Sequence, residues 1–291
     1  MNRAATAVLL ALVLLAGAVP SFAQVDFTGV WNPRVGDEDN PERIPGPSLV
    51  DYVGLPINDY ARQWALAYSP GRLGLPEHQC QVHVVEYIHR GPLQMRIWEE
   101  RDEITHRLLA IHEYINTYEQ SRTIWMDGRP HPSEYAPHTW MGFSTGVWEG
   151  NMLTVTTTHV KQGWHRRNGL PSSDEVTVIE HYVRHGDLLT HISVTEDPIY
   201  LAEPLIKSEE FNLVPNPNAF TPFWPCEYIE ESERVPGVPH LLPGENPFIP
   251  EYAAMHDLPQ EATLGGPETM YPEFRNKMKT LRKAVQTPSR D

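Results

Sequence analysis

The residues best equipped for chemistry are concentrated between Arg122 and Tyr200. Met126-Asp127-Gly128-Arg129-Pro130-His131-Pro132 is the densest polar turn. Asp-Gly is a turn signal, and the two prolines stiffen the chain beyond it, so Arg129 and His131 are held with little freedom. At a barrel mouth such a loop would preorganise Asp127 and His131 as an acid–base pair. The same residues are also the ordinary chemistry of a tight β connection. Glu180, His191 and the adjacent Tyr182 form a second acid–base candidate if their sheet face lines a cavity. On an outer face they would be a cross-strand ion pair worth roughly a few tenths of a kcal/mol. Trp164-His165-Arg166-Arg167 puts two arginines beside a tryptophan, a set able to clamp a carboxylate or stack on an aromatic ligand. As a solvated loop it would instead pair with Asp174 and Glu175.

Twelve of the 14 histidines lie between His78 and His191, so metal binding must be weighed. His78-x-Cys80-x-x-His83 has suitable donor types without a regular closed-site spacing, and no HxH or HExxH string occurs. His181 and His185 share a direction only if their strand runs straight to its turn. This reading assigns no metal and no cofactor. GxGxxG after a strand, the P-loop and CxxCH are absent, which removes the dinucleotide, phosphate-cradle and c-haem readings. Proton chemistry by Asp, Glu, His and Tyr needs no obligatory motif and stays open.

Residues 1–23 carry a basic Arg3, an apolar run and Ser21-Phe22-Ala23 before Gln24, the pattern of a secretory signal cleaved between Ala23 and Gln24. The run is short for a membrane span. Export implies a periplasmic or secreted protein. The net charge of -15 repels phosphate backbones, which argues against nucleic acid as a partner. Cys80 and Cys226 would enter an oxidising compartment, and a disulfide between them is the preferred reading over two buried thiols.

Proline divides the rest of the chain. Residues 33–76 hold seven and residues 198–272 hold fourteen, whereas 93–197 hold only Pro130, Pro132, Pro137 and Pro171. Central strands therefore belong in the middle zone. The expected division is a Pro-rich arm with a short helix (24–77), a β-barrel (78–233) and a Pro-rich extension (234–291). Asn58 to Ala67 has helical spacing behind a capping Asn58 or Asp59. Strands are expected at Val82 to Tyr87, Leu93 to Glu99, Ile104 to Tyr114, Arg122 to Met126, Gly142 to Trp148, Leu153 to Val160, Val176 to Arg184 and Leu188 to Thr195, with Phe211 to Val214 and Glu227 to Glu231 as additions. Their short connections favour an antiparallel meander closing into a barrel.

Two hairpins can be registered. A loop at His185-Gly186 sets Tyr182 opposite Leu189, Glu180 opposite His191 and Val178 opposite Ser193. Ile179, Val183, Leu188, Ile192 and Val194 then make the other face the drier one. A turn at Gly150-Asn151 sets Trp148 opposite Leu153 and Gly146 opposite Val155, leaving room at Gly146 for a large ring to cross the sheet.

RTIWMDGRPHP, APHTWMGFSTGVWEGNMLTVTTTHVK, GWHRRNG, EHYVRHGDLLT, DPIYLAEP, PHLLPGENP and GGPETMYPE resemble a large group of exported bacterial proteins of unknown function. The resemblance covers nearly all the chain after residue 23; it implies architecture and export, and no catalytic residue. Asp26-Phe27-Thr28-Gly29-Val30-Trp31 is similar to the G-x-W opening of lipocalin-like barrels, in which the Trp packs across the barrel floor. Three functions are expected. The first is a barrel binding a small, partly apolar or aromatic molecule, with Trp125, Trp140, Trp148, Trp164 and Tyr182 as lining and Arg129, Arg166 and Arg167 for charge. The second is a metal-independent acid–base enzyme using Asp127, His131, Glu180 and His191. The third is an envelope protein whose arms form the contact surface.

Overall fold

The computed structural model describes residues 25–34, 52–68, 82–89, 94–116, 119–166, 168–216, 218–221, 241–242 and 244–286. The cleavage site, Cys80, Cys226, Arg167 and the strand expected at Glu227 to Glu231 lie outside them. Period-two alternation organises the described chain. Glu180, Tyr182, Leu189, His191, Ile111, Glu113 and Ile115 are buried, while the residues between them are more exposed, as a half-solvated antiparallel sheet requires.

Among the described residues eleven strands form: β1 (Gly29–Pro33), β2 (Met95–Arg101), β3 (Leu108–Ile115), β4 (Gln120–Trp125), β5 (Phe143–Glu149), β6 (Met152–Thr158), β7 (Gly163–Arg166), β8 (Leu170–Ser172), β9 (Thr177–His185), β10 (Leu188–Glu196) and β11 (Leu205–Val214). Nine close a barrel in the order β1-β11-β10-β9-β6-β5-β4-β3-β2, and β7 and β8 pair separately. The chain is mainly β and the barrel is closed, as its sequence implies.

Three details differ from expectation. β1, from the Pro-rich arm, closes the barrel by pairing with both β11 and β2. β4 and β5 run parallel, so the barrel is not a pure meander. The polar 126–142 connection has to return along the barrel before β5 can start. Finally, Val82 to Tyr87 is no strand: Val85–Tyr87 is a turn of 3-10 helix.

The β5–β6 hairpin has the expected register, Trp148 with Leu153 and Gly146 with Val155. The space at Gly146 is taken by a thioether rather than a ring, since a Cβ there would come within 2.5 Å of Met126 Sδ. The β9–β10 hairpin is slipped by two residues from the expected register. Its loop is Gly186-Asp187, with Gly186 at φ 63, and the pairs are Tyr182 with His191 and Glu180 with Ser193. An even slip keeps every side chain on its face. The face itself was misjudged: Ile179, Val183, Leu188, Ile192 and Val194 are the more exposed set, and Glu180, Tyr182 and His191 point inward.

Both barrel ends are stopped by the chain itself. At the end where β5 finishes and β9 turns, Trp31 is fully buried and donates Nε1–H to the Phe27 carbonyl (2.9 Å). Phe27 stacks on Trp148 at 5.4 Å between centroids and 8° between planes. At the end where β4 and β5 begin, the segment Val84 to His89 is buried throughout and acts as a plug. It is tied by Val85 N–H to the Trp140 carbonyl (3.2 Å) and by Lys207 Nζ to the Glu86 carbonyl (2.6 Å).

A second apolar core lies beyond the strands. Helix α1 (Asp59–Ala67) is capped by Asn58, whose side chain accepts from Ala61 N–H (2.9 Å). It buries Ala61 and Ala65 with Tyr52, Ile57, Leu170, Tyr200 and Leu205. The last segment adds α2 (Phe248–Met255), α3 (Gln260–Thr263) and α4 (Pro272–Gln286), and α2 brings Ile249 and Tyr252 to that core.

Candidate functional site

Alternation alone dictates that any charged residue in phase with the apolar positions of a barrel strand must enter the interior. Here this applies to Glu113 on β3, Arg122 on β4, Glu180 and Tyr182 on β9, His191 on β10, and Lys207 and Glu209 on β11. His89 joins them from the plug, and all are buried.

Arg122 is the hub. Its Nε donates to Glu113 Oε2 (2.5 Å), Nη1 to Glu180 Oε2 (2.7 Å) and Nη2 to Glu180 Oε1 (3.0 Å) and to the Tyr182 hydroxyl. One guanidinium thus bridges two carboxylates, one of them bidentately. His191 lies between two acids, with Nε2 2.9 Å from Glu180 Oε1 and Nδ1 3.0 Å from Glu209 Oε2. His89 Nε2 is 2.8 Å from Glu113 Oε1, and its ring centroid is 4.0 Å from that of His191.

The electrostatics separate the two imidazoles. Burial works against the charge on His191, but hydrogen bonds to Glu180 and Glu209 outweigh it and raise its pKa to about 9. His89 is lowered, by burial first and then by repulsion from His191, despite the pull of Glu113. Burial also opposes ionisation of the acids; Arg122 reverses this for Glu113, bringing it to about 2, and still more for Glu180. The bond to His191 brings Glu209 to about 2. Three carboxylates therefore face Arg122, His191 and Lys207 with a neutral His89 among them, which satisfies the demand that buried charge be paired.

The acid–base group expected at Glu180, His191 and Tyr182 is therefore assembled, and it lies inside. The others are not joined to it. Asp127 does not meet His131: it binds Arg129 (Nη2 to Oδ2 2.6 Å), which holds its carboxyl at about 2. Arg129 in turn lies 3.5 Å over the outward-facing Trp125 ring. His131 bonds Thr158 (2.7 Å) and Thr145 (2.8 Å), outward positions of β6 and β5. Burial lowers its pKa. The stiff loop is a tight connection laid on the barrel wall.

Of the aromatic lining, Trp148 and Tyr182 lie on inward-facing strand positions, and Trp140 packs partly buried against the same core from outside the strands. Trp140 lies under Lys161 Nζ at 5.2 Å, and Trp164, on β7 with Arg166, packs edge-on against Tyr68 at 5.9 Å. His89, Glu113, Arg122 and Glu209 were missed. For the last three the signal was available, because each is in phase with buried apolar neighbours on its strand. His89 carried none, since a plug has no periodicity.

His89, Glu180 and His191 offer ligand atoms within 4.8 Å of one another, a set that no local spacing announces. Those atoms are already engaged. Both His191 nitrogens face carboxylates, and both Glu180 oxygens accept from Arg122, so a cation there would have to displace Arg122 and a His191 proton.

A second buried polar group lies at the plugged end. Asp197 accepts from Ser173 N–H and Oγ–H (both 2.8 Å), Ile199 N–H (2.9 Å) and Tyr200 N–H (3.2 Å). His165 Nε2 is 2.9 Å from Asp197 Oδ2, and Nδ1 lies 3.9 Å from Glu86 Oε1. Burial raises the Glu86 carboxyl against the opposing pull of His165 and of nearby Ser172.

No family model matches the chain, and no curated relative matches it. Among solved structures it is similar to a "secretary abundant heat soluble (SAHS) protein" from Ramazzottius varieornatus, at 12% identity and a TM-score of 0.26, over 66% of this chain and 98% of that one. So distant a likeness assigns nothing, and the barrel stands on its own hydrogen-bond ladder.

Proposed function

We propose that this is an exported barrel protein, periplasmic or secreted after cleavage between Ala23 and Gln24, that binds a small, partly apolar or aromatic molecule in its interior. The observation that carries this reading is the polar and aromatic assembly inside the barrel, with Arg122, Tyr182 and His191 on one side and the Phe27–Trp148 stack on the other. Buried ion pairs are weak stabilisers compared with well-packed hydrocarbon, so stability alone gives little reason for charges at the centre of a barrel. Phe27 lies 6.2 Å from Tyr182, so the aromatic and charged parts are contiguous. The Trp148 indole N–H is buried there without a partner among the described residues, a donor suited to a ligand acceptor.

A second reading, an acid–base enzyme on the same network, is favoured by the opposed protonation of His89 and His191 at 4.0 Å between rings. Paired groups with pKa values pushed apart are the usual arrangement of an acid and its base.

Native mass spectrometry of the protein purified from its own host envelope tests the binding reading. The expected result is a chain beginning at Gln24 plus an organic mass that is lost on denaturation. A bare polypeptide, or a metal mass alone, would remove the reading.

A further inference from the structure

The plugged end holds a group of polar atoms that the barrel network does not use. Glu86, His165 and Ser172 are all buried, at 4%, 0% and 0% exposure. Among the described residues, both Glu86 carboxyl oxygens, His165 Nδ1 and Ser172 Oγ make no hydrogen bond of ordinary geometry, although Ser172 and His165 lie close enough to act on Glu86. A buried polar group without a partner is costly, and such groups call for an occupant: a water, an ion or a ligand. The contrast with the Arg122 network is instructive. There Glu180 and His191 are held at hydrogen-bond distance by protein partners; here the Glu86 carboxyl, His165 Nδ1 and Ser172 Oγ face mainly one another, with His165 Nδ1 3.9 Å from Glu86 Oε1.

The surroundings narrow the choice of occupant. Asp197 accepts four hydrogen bonds besides that of His165, which fixes it as an acceptor-only carboxylate. Asp197 therefore takes the Nε2 proton of His165, and the ring's other nitrogen, Nδ1, is turned toward Glu86, 3.9 Å away. A carboxylate that orients one imidazole nitrogen while the other stays free is the usual outer shell of a metal-binding histidine. The 3.9 Å separation is less than the sum of zinc–nitrogen and zinc–oxygen bonds of about 2.0–2.2 Å each, so one ion can reach both atoms. Lys207 lies close by, with Nζ donating to the Glu86 backbone carbonyl (2.6 Å) and its charge acting on the Glu86 carboxyl.

We propose that Glu86, His165 and Ser172 bind a divalent first-row metal ion at the plugged end of the barrel, with Asp197 as the residue that positions His165. The site is separate from the barrel interior and does not depend on the ligand proposed there. Enclosed as it is, it takes up its ion as the chain folds, as structural metal sites do.

The test uses the full exported chain, expressed with added zinc and washed of loosely held metal, then analysed by inductively coupled plasma mass spectrometry. Wild type is expected to retain about one zinc per chain. Glu86→Gln, which keeps the shape and removes the charge, and His165→Gln should each lose it. Asp197→Asn should weaken retention by roughly 10–100-fold. The double variant His89→Gln with His191→Gln should retain zinc if it folds, and circular dichroism of every variant reports whether it has. Growth with cobalt should yield visible ligand-field bands that disappear in Glu86→Gln. Metal-free wild type would overturn the proposal and leave the chamber to water. Zinc that persists in folded Glu86→Gln and His165→Gln would overturn it equally.

Discussion

Replacing Arg122 with methionine is expected to destabilise the fold by about 3–5 kcal/mol, the cost of stranding a buried charge whose partner has been removed. Two acids are stranded here, because Arg122 bonds both Glu113 and Glu180 in a core where each is about 1% exposed. Without the guanidinium, burial dominates and both carboxyls must take up protons or draw in water. At roughly 2–4 °C per kcal/mol for a domain of this size, the midpoint should fall by about 6–20 °C. Adding Glu113→Gln and Glu180→Gln to the same chain should recover part of the loss, because an amide tolerates burial far better than an unpaired carboxylate. Denaturant unfolding of the three chains is the measurement. A loss below about 1 kcal/mol for Arg122→Met would show that the network is not the buried, fully paired unit described.

How much of this was legible in the sequence differs from residue to residue. The barrel was, because proline distribution and period-two patterning act locally and tertiary structure preserved them. The β5–β6 register was correct, since Gly150-Asn151 leaves one short way to turn. The β9–β10 register was off by two because His185-Gly186 and Gly186-Asp187 are both plausible loops, and it is Gly186 at φ 63 that leads the turn.

The inward face was misread for a more general reason. Ile179, Val183, Ile192 and Val194 are more apolar than Glu180, Tyr182 and His191, so transfer energy alone places them inside. The network overrides that preference only because Arg122, Glu113 and Glu209 arrive from other strands to pair the charges. No single hairpin contains this information. Asp127 and His131 failed as a pair for the complementary reason: each found a nearer partner, Arg129 two residues away and the threonines of the adjacent wall.

Stability should also fall on the alkaline side. The His191 pKa lies at about 9 when folded against an ordinary 6.5, so its contribution is complete below about 6.5 and is lost as pH rises to about 9. At about 1.4 kcal/mol per pH unit this amounts to roughly 3 kcal/mol. His89 has the opposite sign: its pKa is lowered, so its contribution is present above about 6.5 and is lost as pH falls. Glu113 and Glu209, at about 2, and Glu180, lower still, add stability above about 4.5 that disappears toward pH 2. Denaturant midpoints measured from pH 5 to 9.5 should therefore decline steadily above about 6.5. A flat profile up to pH 9 would mean that His191 carries no buried charge.

The most direct test is the protonation of the two buried imidazoles, read by nitrogen-15 NMR of histidine-labelled protein with His89 and His191 assigned by single glutamine substitutions. The His191 ring should be protonated on both nitrogens at pH 7.5 and lose its charge only near pH 9, while His89 stays neutral at pH 7.5. If both rings titrate together near pH 6.5, as solvent-exposed histidines do, there is no charged network at the centre of the barrel.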